Sequence, residues 1–251
     1  MIFYFSATGN SKYIAESIAN KLNDKIINIE DCIKDSCYDF NLKDEQYLGI
    51  ITPTYFWGLP KIVEEFLGEI NFKNSKNIYA FHIATYGTTS GASNKYIEES
   101  LNKKGIILSG KYDIKMVDTW TPIFDVSKKE KNKKIETTVN EQINNILQYI
   151  EKKENIEFNN SLPKFMAKIY RKISYNNGGN TSKFKVSNKC IGCGLCAKRC
   201  PSNAIEIIDG KPTWIKEKCN LCLRCLHYCP KFAISYGKQT EKHGQYVNKM
   251  K

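Results

Sequence analysis

The first 22 residues read MIFYFSATGNSKYIAESIANKL, and they join a short apolar strand, a loop of small residues and an amphipathic helix. The run Ile2–Phe5 has the composition of a strand, whereas Ser11–Leu22 places its apolar residues at helical spacing. Between them, residues 6–10 (SATGN) supply hydroxyl groups, a glycine and an amide. Such a loop presents backbone N–H groups at a helix N-terminus, where the helix dipole stabilises a phosphate. The stretch therefore predicts a strand–loop–helix unit with an anion site.

The same alternation continues through the first 150 residues. The other predicted strands are Lys25–Ile29, Tyr47–Thr52, Ile78–Ala84 and a stretch within Ile106–Val117, and the other predicted helices are Lys61–Leu67, Ala92–Lys103 and Lys129–Lys153. Strands that alternate with helices of this length are typical of a parallel sheet with crossover helices. We therefore expect the α/β class, with a doubly wound five-stranded parallel sheet and a second, smaller domain.

The texture of the sequence changes after the last of these helices. We divide the chain into a first domain of residues 1–154, a linker of residues 155–182, a second domain of residues 183–240 and a basic tail of residues 241–251. In the linker, Lys164–Ile173 has an apolar stripe with basic residues beside it. This pattern fits either a basic helix on a membrane surface or acidic partner, or a bridging helix that docks on the first domain with its lysines in solvent. We favour the bridging helix, because ten residues bury little area against lipid.

Charge is distributed unevenly along the chain. The whole chain carries a net charge of +12, but residues 1–126 hold 13 bases and 16 acids, whereas residues 183–251 hold 14 bases and 4 acids. No apolar run approaches the roughly 18 residues of a membrane-spanning helix, and the amino terminus does not look like a secretory signal. We therefore expect a cytoplasmic protein whose basic second domain meets an acidic partner.

Eight of the ten cysteines lie between residues 190 and 229, in two runs of the same spacing. The first run is CIGCGLCAKRCP (residues 190–201), and the second run is CNLCLRCLHYCP (residues 219–230). Cysteines this dense in a chain without a secretory signal favour metal clusters over disulfides. A zinc site is the alternative, but zinc explains neither the third cysteine of each run nor the repeated Cys-Pro. Cys32 and Cys37 lack this spacing and are expected to be free thiols.

This spacing matches the known ligation pattern of two [4Fe–4S] clusters, in which the fourth cysteine of each run ligates the other cluster. The predicted ligands are Cys190, Cys193, Cys196 and Cys229 for cluster 1, and Cys219, Cys222, Cys225 and Cys200 for cluster 2. Residues 183–240 resemble the two-cluster bacterial ferredoxins over their whole length, although the small soluble ferredoxins tend to be acidic. That resemblance implies a small α+β domain.

Two further loops follow predicted strands at the edge where open α/β sheets bind ligands. Residues 52–60 (TPTYFWGLP) form one, and residues 84–91 (ATYGTTSG) form the other. Three adjacent aromatic residues in an exposed loop suit a flat partner such as an isoalloxazine ring. Core packing explains Tyr55 or Phe56 alone, but it is the weaker account of the three loops together. Gly58 is expected to let the backbone approach the edge of the ring.

Residues 1–153 resemble a flavodoxin, with Ser6–Ser11 matching the phosphate loop of that family. The resemblance implies FMN, with its phosphate bound by Ser6, Thr8, Gly9, Asn10 and Ser11. It implies a ring face covered by Pro53, Thr54, Tyr55, Phe56 and Trp57, and a third loop of Thr85, Tyr86 and Gly87. Trp57 is our first choice for the stacking residue, and Tyr55 is the second. The third loop lacks the acidic residues and the Gly-Asp sequence of many flavodoxins.

The whole chain resembles the flavodoxin–ferredoxin fusion proteins of anaerobic bacteria and archaea. This implies an electron carrier that relays electrons between FMN and the two clusters, with an acidic ferredoxin, flavodoxin or oxidoreductase as partner. The sequence shows no acid–base or nucleophilic constellation, so we name no catalytic residue. One alternative is a flavin-dependent oxidoreductase with a substrate pocket beside Tyr55, Tyr86 or Trp120. The other is a redox-sensing or nucleic-acid-binding module, although the basic residues form no recognisable nucleic-acid motif.

Overall fold

The first domain is an α/β sandwich around one parallel sheet. The computed structural model describes residues 1–43, 46–158, 162–178 and 180–250. The elements of the first domain are β1 (Ile2–Tyr4), α1 (Asn10–Leu22), β2 (Ile26–Asn28), α2 (Ile29–Lys34), β3 (Asp39–Asn41), β4 (Tyr47–Pro53), α3 (Lys61–Glu69), β5 (Asn71–Lys73), β6 (Tyr79–Tyr86), α4 (Ser93–Asn102), β7 (Leu108–Lys115), α5 (Lys129–Glu151) and β8 (Ile156–Glu157).

The strand order of the sheet is β2-β1-β4-β6-β7-β8, and every neighbouring pair is parallel. The order reverses between β1 and β4, as in a doubly wound sheet, so the predicted fold class is confirmed. The sheet has six strands rather than the five expected. The sixth, β8, is only two residues long and pairs with Gly110 and Lys111 at the sheet edge. Main-chain pairing, the packing of Ile156 on the core and the Glu157–Lys111 ion pair at 3.4 Å hold it, and a strand this short in a polar stretch gave no sequence signal.

Both faces of the sheet are covered, because side chains alternate along each strand. In β1, Phe3 packs with the helices α2, α3 and α4, and its neighbour Ile2 packs with α1 and α5. The apolar stripe predicted for α5 lies in the second of these layers, with Val139, Ile143 and Ile150 buried. Burying each such aliphatic side chain contributes about 1.5–3 kcal/mol. The core therefore fixes the strands and leaves their carboxyl ends free to carry loops.

The second domain is smaller and mixes short helices with antiparallel strands. Its elements are α6 (Lys164–Gly178), a 3-10 turn (Thr181–Lys183), β9 (Phe184–Val186), α7 (Leu195–Lys198), β10 (Ile205–Ile208), β11 (Lys211–Trp214), α8 (Arg224–His227), β12 (Ile234–Tyr236) and α9 (Thr240–His243), counting the linker helix α6 with them. Strand β9 pairs with β12, and β10 pairs with β11. Phe184 and Trp214 stack between the two antiparallel strand pairs, with ring centroids 4.6 Å apart. The expected α+β arrangement is confirmed.

Helix α6 docks on the first domain mainly through Arg171, and Tyr170 of its apolar stripe stacks on Trp57. Among its described side chains, Ala167 and Arg171 are buried, whereas Phe165, Ile169 and Ile173 are 55–66% exposed. The Arg171 guanidinium donates to the Tyr55 carbonyl at 3.0 Å, to the Leu59 carbonyl at 2.7 Å and to Glu64 at 2.5 Å. Only a side chain with several donors satisfies these oxygens, so arginine occupies the interface that we expected to be apolar.

The expected basic tail is folded back onto the body of the protein. Tyr246 is buried with Val117 and Val126, and its hydroxyl donates to Glu136 at 2.8 Å. Asn248 reaches the loop before α1, where its backbone N–H donates to the Thr8 carbonyl at 2.8 Å. The end of the chain therefore fastens the second domain to the first.

Among the described residues, we find no helix with the length and apolar character that crossing a membrane requires.

A buried histidine lies at the centre of the parallel sheet. His82 in β6 is fully buried, with Nε2 3.0 Å from the Thr52 hydroxyl and Nδ1 2.6 Å from Asn94 Oδ1. Because Asn94 Oδ1 only accepts, Nδ1 carries the proton and Nε2 accepts from Thr52. Burial lowers the pKa of His82 from 6.5 to about 4. Between about pH 4 and pH 6.5, the folded protein therefore keeps this ring neutral, whereas the unfolded chain protonates it.

This neutral ring predicts an acid-sensitive first domain. Below pH 6.5 the unfolded state gains a proton that the folded state refuses until about pH 4, so stability falls over that window by up to about 1.4 kcal/mol per pH unit. Between pH 7 and 5.5, wild type is expected to lose about 1 kcal/mol more than His82→Gln. Hydrogen exchange of peptides covering β4 and β6, measured by mass spectrometry, reports the difference. His243→Gln, which removes a histidine outside the sheet, should keep the wild-type pH dependence. Equal losses in wild type and His82→Gln would contradict the assignment.

Candidate functional site

The phosphate loop, residues Ser6–Ser11, connects β1 to the amino terminus of α1. Gly9 precedes the helix with a φ of +97°, a conformation that favours glycine, and its N–H donates to the Ser6 hydroxyl at 3.1 Å. In the described part of the chain, no side chain caps α1. The first backbone N–H groups of this helix are therefore available to an anion, and the residues fit the phosphate that the sequence predicts here.

Side chains of the phosphate loop are held from three directions. Ser11 hydrogen-bonds to the Thr85 hydroxyl at 2.8 Å. Asn10 donates to the Val117 carbonyl at 3.1 Å and accepts from the Asn248 amide at 3.1 Å. The Asn10 side chain thus makes hydrogen bonds within the protein, and it also lines the pocket. That Asn10 binds the phosphate stays a prediction.

The aromatic loop, residues Pro53–Pro60, forms a tight turn over the pocket. Tyr55 and Gly58 pair through two backbone hydrogen bonds of 2.8 and 3.0 Å. The positive φ values fall on Phe56 (+49°) and Trp57 (+63°) instead of Gly58. Gly58 is required for another reason, since a Cβ there would lie 2.4 Å from the Arg171 guanidinium. Gly58 therefore has a packing role against α6, and its expected role at the ring edge stays a prediction.

The three aromatic side chains of this loop have different neighbours. Trp57 stacks on Tyr170 of α6, with ring centroids 4.1 Å apart, and Phe56 meets Trp120 edge-on at 5.1 Å. Tyr55 packs against the core beside Phe5. All three also line the cavity described below. One face of Trp57 is thus already covered by Tyr170, while the choice of the residue that stacks on the flavin stays a prediction.

The sequence analysis anticipated only part of the fourth wall of the pocket, when it named Trp120 for the alternative function. This wall follows the carboxyl end of β7 and includes Val117, Asp118, Trp120 and Phe124. The Asp118 carboxylate accepts from the Trp120 N–H at 3.0 Å, and burial raises the pKa of this carboxyl group. The rule that ligands bind beyond the carboxyl ends of strands applies to β7 as well and would have identified this segment.

These loops line one cleft that opens to solvent and has a cavity volume of about 210 Å³. The cavity is lined by all but one of the predicted flavin residues: Ser6, Thr8, Asn10, Ser11, Pro53, Thr54, Tyr55, Phe56, Trp57, Thr85, Tyr86 and Gly87. Gly9 instead lies behind the loop, where its Cα packs against Asn248. The second cysteine run contributes Leu221, Cys222 and Leu223 to the same cavity. An aromatic, partly apolar cleft with a helix N-terminus at one end fits FMN.

The two cysteine runs are structural copies of each other, displaced by 29 residues. Helix α7 (Leu195–Lys198) corresponds to α8 (Arg224–His227). The Cys200 sulfur accepts from the Ala204 N–H at 3.4 Å, and the Cys229 sulfur accepts from the Ala233 N–H at 3.3 Å. Hydrogen bonds from backbone N–H groups stabilise thiolate sulfurs, so both runs are shaped to hold charged sulfur.

The positions of the fourth cysteines agree with crossed ligation. Cys229 lines one small cavity together with the first three cysteines of the first run. Cys200 lies close enough to Cys219 and Cys222 to help raise their thiol pKa values, although burial is the larger cause and carries them to about 11 and about 12. The ligand assignment itself stays a prediction. Cys32 is a buried free thiol and Cys37 an exposed one.

The run facing the pocket contains a buried arginine that connects the two domains. Arg224 donates from Nε to the Ala7 carbonyl at 3.1 Å and from Nη2 to the Ser6 carbonyl at 2.7 Å. Its two Nη atoms also bind both carboxylate oxygens of Glu30, and Nη1 donates to the Arg199 carbonyl at 3.1 Å. All five donors of the guanidinium are used. Arg224 therefore ties the phosphate loop to the cysteine run.

Two neighbours of Arg224 extend this interface. Asn220 accepts from the Ile62 N–H at 3.1 Å and so satisfies a donor at the start of α3. His227 lies 2.9 Å from the Thr119 carbonyl and accepts from the Tyr246 N–H at 3.2 Å, and burial lowers its pKa to about 4. His227 is therefore a buried, hydrogen-bonded residue of the interface.

A parallel sheet with three loops at its carboxyl edge, joined to a smaller domain with two cysteine runs, is the architecture of a flavodoxin-like domain fused to a ferredoxin-like domain. The Flavodoxin domain family matches residues 1–139, more than half of the chain, and the 4Fe-4S binding domain family matches residues 184–206. The chain belongs to the flavodoxin family and is a flavodoxin–ferredoxin fusion.

Known relatives match one domain at a time. A ferredoxin of Pyrobaculum islandicum is 45% identical over 51 residues, 20% of this chain and 48% of that protein. An uncharacterized polyferredoxin-like protein of Methanocaldococcus jannaschii is 37% identical over 65 residues, 21% of this chain and 39% of that protein. The chain spans less than half the length of these curated relatives. Among solved structures, a Fusobacterium nucleatum flavodoxin bound to flavin mononucleotide is 16% identical, covering 61% of this chain and 96% of that chain, with a TM-score of 0.39.

Crossed ligation predicts which thiols each substitution exposes. In Cys229→Ser, the cluster of the first run is expected to be lost or damaged, because Cys229 lies with that run. Anaerobic alkylation followed by mass spectrometry should then label Cys190, Cys193 and Cys196 and spare the second run, and Cys200→Ser should give the reverse. The matched control is Cys37→Ser, which removes an exposed thiol and should leave both runs protected. Labelling of the substituted cysteine's own run in each variant would contradict crossed ligation.

Proposed function

We propose that this protein is a redox relay that binds FMN between its three loops and two [4Fe–4S] clusters in its second domain, and that exchanges single electrons with a partner protein in anaerobic metabolism. One observation carries the proposal. Cys222, a predicted ligand of cluster 2, lines the same cavity as the phosphate loop and the aromatic loop. The chain thus brings the predicted flavin site and the second cysteine run to one cavity.

The bound groups supply the electron chemistry: FMN accepts one or two electrons, and each [4Fe–4S] cluster accepts one. The protein supplies the position and the surroundings of each. Leu221 and Leu223 are at most 2% exposed and form the wall between the cavity and the second run. Their φ values are +50° and +52°, a region that costs a non-glycine residue about 1 kcal/mol or more. The equivalent positions of the first run are Gly192 and Gly194, so the strain is accepted only where the side chains exclude water from the pocket.

The case for two clusters rests on the repeat. Each run has the same helix, the same sulfur-directed N–H and the same backbone turns, so a chain that shapes one run for a cluster shapes both. The two surroundings differ, because the second run is enclosed by the first domain and the first run is open. Two sites in unequal environments are expected to have different potentials.

A flavin-dependent reduction of a small substrate is the second candidate, and the fourth wall of the cavity favours it. Trp120, Ile123 and Phe124 add apolar surface beyond the predicted flavin contacts, and Asp118 adds a buried carboxyl group. This candidate uses the same cofactors and requires turnover of a substrate other than a dye.

The relay predicts the cofactor content and how electrons distribute. Anaerobically purified protein should contain about eight iron, about eight sulfide and one FMN per chain. Stepwise photoreduction, followed by absorbance and EPR, should show electrons equilibrating among flavin and clusters without a partner. Iron without flavin would reduce the first domain to a docking module, and zinc without sulfide would overturn the proposal. Catalytic turnover of a small substrate would instead support the second candidate.

Arg224 and Glu30 are expected to shift the potential of cluster 2 in opposite directions. A buried cation stabilises the more negative reduced cluster, so Arg224→Leu should lower the potential of cluster 2. This substitution introduces the residue that the first run has at the equivalent position, Leu195. Glu30→Gln leaves the cation unpaired and should raise it. With an effective dielectric of about 20, each shift is on the order of 1 kcal/mol, roughly 40 mV for one electron.

EPR-monitored redox titration of both clusters measures these shifts. Lys238→Leu removes a charge of the same sign from an exposed position of the second domain away from the predicted ligands and should change little, because solvent screens it. If the two residues had a structural role alone, Arg224→Leu and Glu30→Gln would shift the potential of cluster 2 in the same direction. That result would reject the electrostatic role.

A further inference from the structure

The outer face of the second run is the surface that binds the first domain. Its contacts come from Asn220, Arg224 and His227, which reach α3, the phosphate loop and the Thr119 carbonyl, while Leu221 and Leu223 wall the pocket. This face therefore already serves as a protein interface around a cluster site.

The repeat places an equivalent face on the first run, and that face is open. Subtracting 29 residues converts Asn220, Arg224 and His227 into Ile191, Leu195 and Lys198. Ile191 is 60% exposed, Cys193 and Lys198 are exposed, and Leu195 is half-buried. Beside them, Ile207 of β10 is 38% exposed and lines the cavity of the first run. An apolar centre thus surrounds the cysteine that is most accessible to a partner.

The charge around this centre is basic. Exposed lysines adjoin the cavity-lining residues along the chain: Lys189 before Cys190, Lys198 after Cys196, Lys211 before Pro212 and Lys231 after Pro230. Across residues 183–251, 14 bases face 4 acids. An apolar core with a charged rim is the usual anatomy of a transient protein interface, and this rim selects a partner of negative charge.

We propose that the first-run face, formed by Ile191, Cys193, Leu195, Lys198 and Ile207, docks an acidic one-electron carrier protein in the way that the second-run face docks the flavodoxin domain. The inference rests on the proposed relay, because it names the surface through which that relay exchanges electrons with its partner. Each encounter moves one electron between the reduced centre of the carrier and cluster 1. One centre is oxidised by one electron and the other is reduced by one, with no bond made or broken.

The two docking faces are not equivalent in strength. On the second run, a buried arginine and its carboxylate partner fix a permanent contact within one chain. On the first run, leucine and lysine replace arginine and histidine, so this face offers an apolar contact and long-range attraction without a buried ion pair. Such a face suits rapid association and rapid release, as an electron carrier requires.

The test is stopped-flow electron transfer from a reduced acidic two-cluster ferredoxin to the oxidised holoprotein. Ile191→Glu places a like charge at the centre of the face and should lower the second-order rate constant about tenfold or more. Lys198→Glu, which lies on α7 rather than between two ligands, should lower it in the same direction. Rising ionic strength should slow wild type and have less effect on either variant. Lys103→Glu makes the same charge reversal on the exposed surface of the first domain and is expected to leave the rate unchanged.

A small photochemical reductant separates failure of docking from failure of the relay. In one outcome, wild type and both variants equilibrate electrons between flavin and clusters after photoreduction, and both variants accept electrons from the ferredoxin at the wild-type rate. The proposed docking face is then wrong and the relay stands. If wild type itself does not equilibrate electrons after photoreduction, the relay fails first. Slower transfer from ferredoxin in Lys198→Glu, with normal photoreduction, supports the docking face even where Ile191→Glu loses a cluster.

Discussion

The contact between Arg224 and Glu30 is the constraint on which the arrangement of the two domains depends. Arg224 is buried between the cysteine run and the phosphate loop, and Glu30 neutralises it from α2. Removing a guanidinium from water costs several kcal/mol unless a carboxylate and further acceptors surround it, and breaking such a pair typically costs about 3–5 kcal/mol. Here the carbonyls of Ser6, Ala7 and Arg199 complete the set. The ion pair can therefore form only when the second run lies against the loop.

A second arginine makes a similar contact on the other side of the pocket. Arg171 of α6 binds the carbonyls of Tyr55 and Leu59 in the aromatic loop and pairs with Glu64 of α3. Each of the two main pocket loops is thus held through its backbone by an arginine from outside the flavodoxin domain. Because both arginines bind backbone carbonyls of the loops, the shape of the loops depends on the rest of the chain.

The sequence predicted what short-range patterns encode. Strand and helix periodicity gave the parallel sheet, and the cysteine spacing gave two equivalent runs, because in both cases the signal lies within about ten residues. The phosphate loop was found for the same reason. Asp118, Arg171 and the packing of Asn248 on the phosphate loop were not found, since each is defined by contacts between residues far apart in the chain. The apolar stripe of α6 predicted an apolar interface with the first domain, but the buried contact is made by Arg171 with the backbone carbonyls of Tyr55 and Leu59.

The difference between the two runs follows from one being enclosed. Removing water from around the second run disfavours any added negative charge, which lowers the potential of a cluster held there. Arg224 acts in the opposite sense, and it occurs only in the run where water is excluded. The leucines that exclude the water need a strained backbone, whereas the glycines of the open run do not. In the proposed relay, therefore, Arg224 both holds the two domains together and raises the reduction potential of the enclosed cluster, which the loss of solvent lowers. One residue thus influences both the distance between the flavin and cluster 2 and the difference between their potentials.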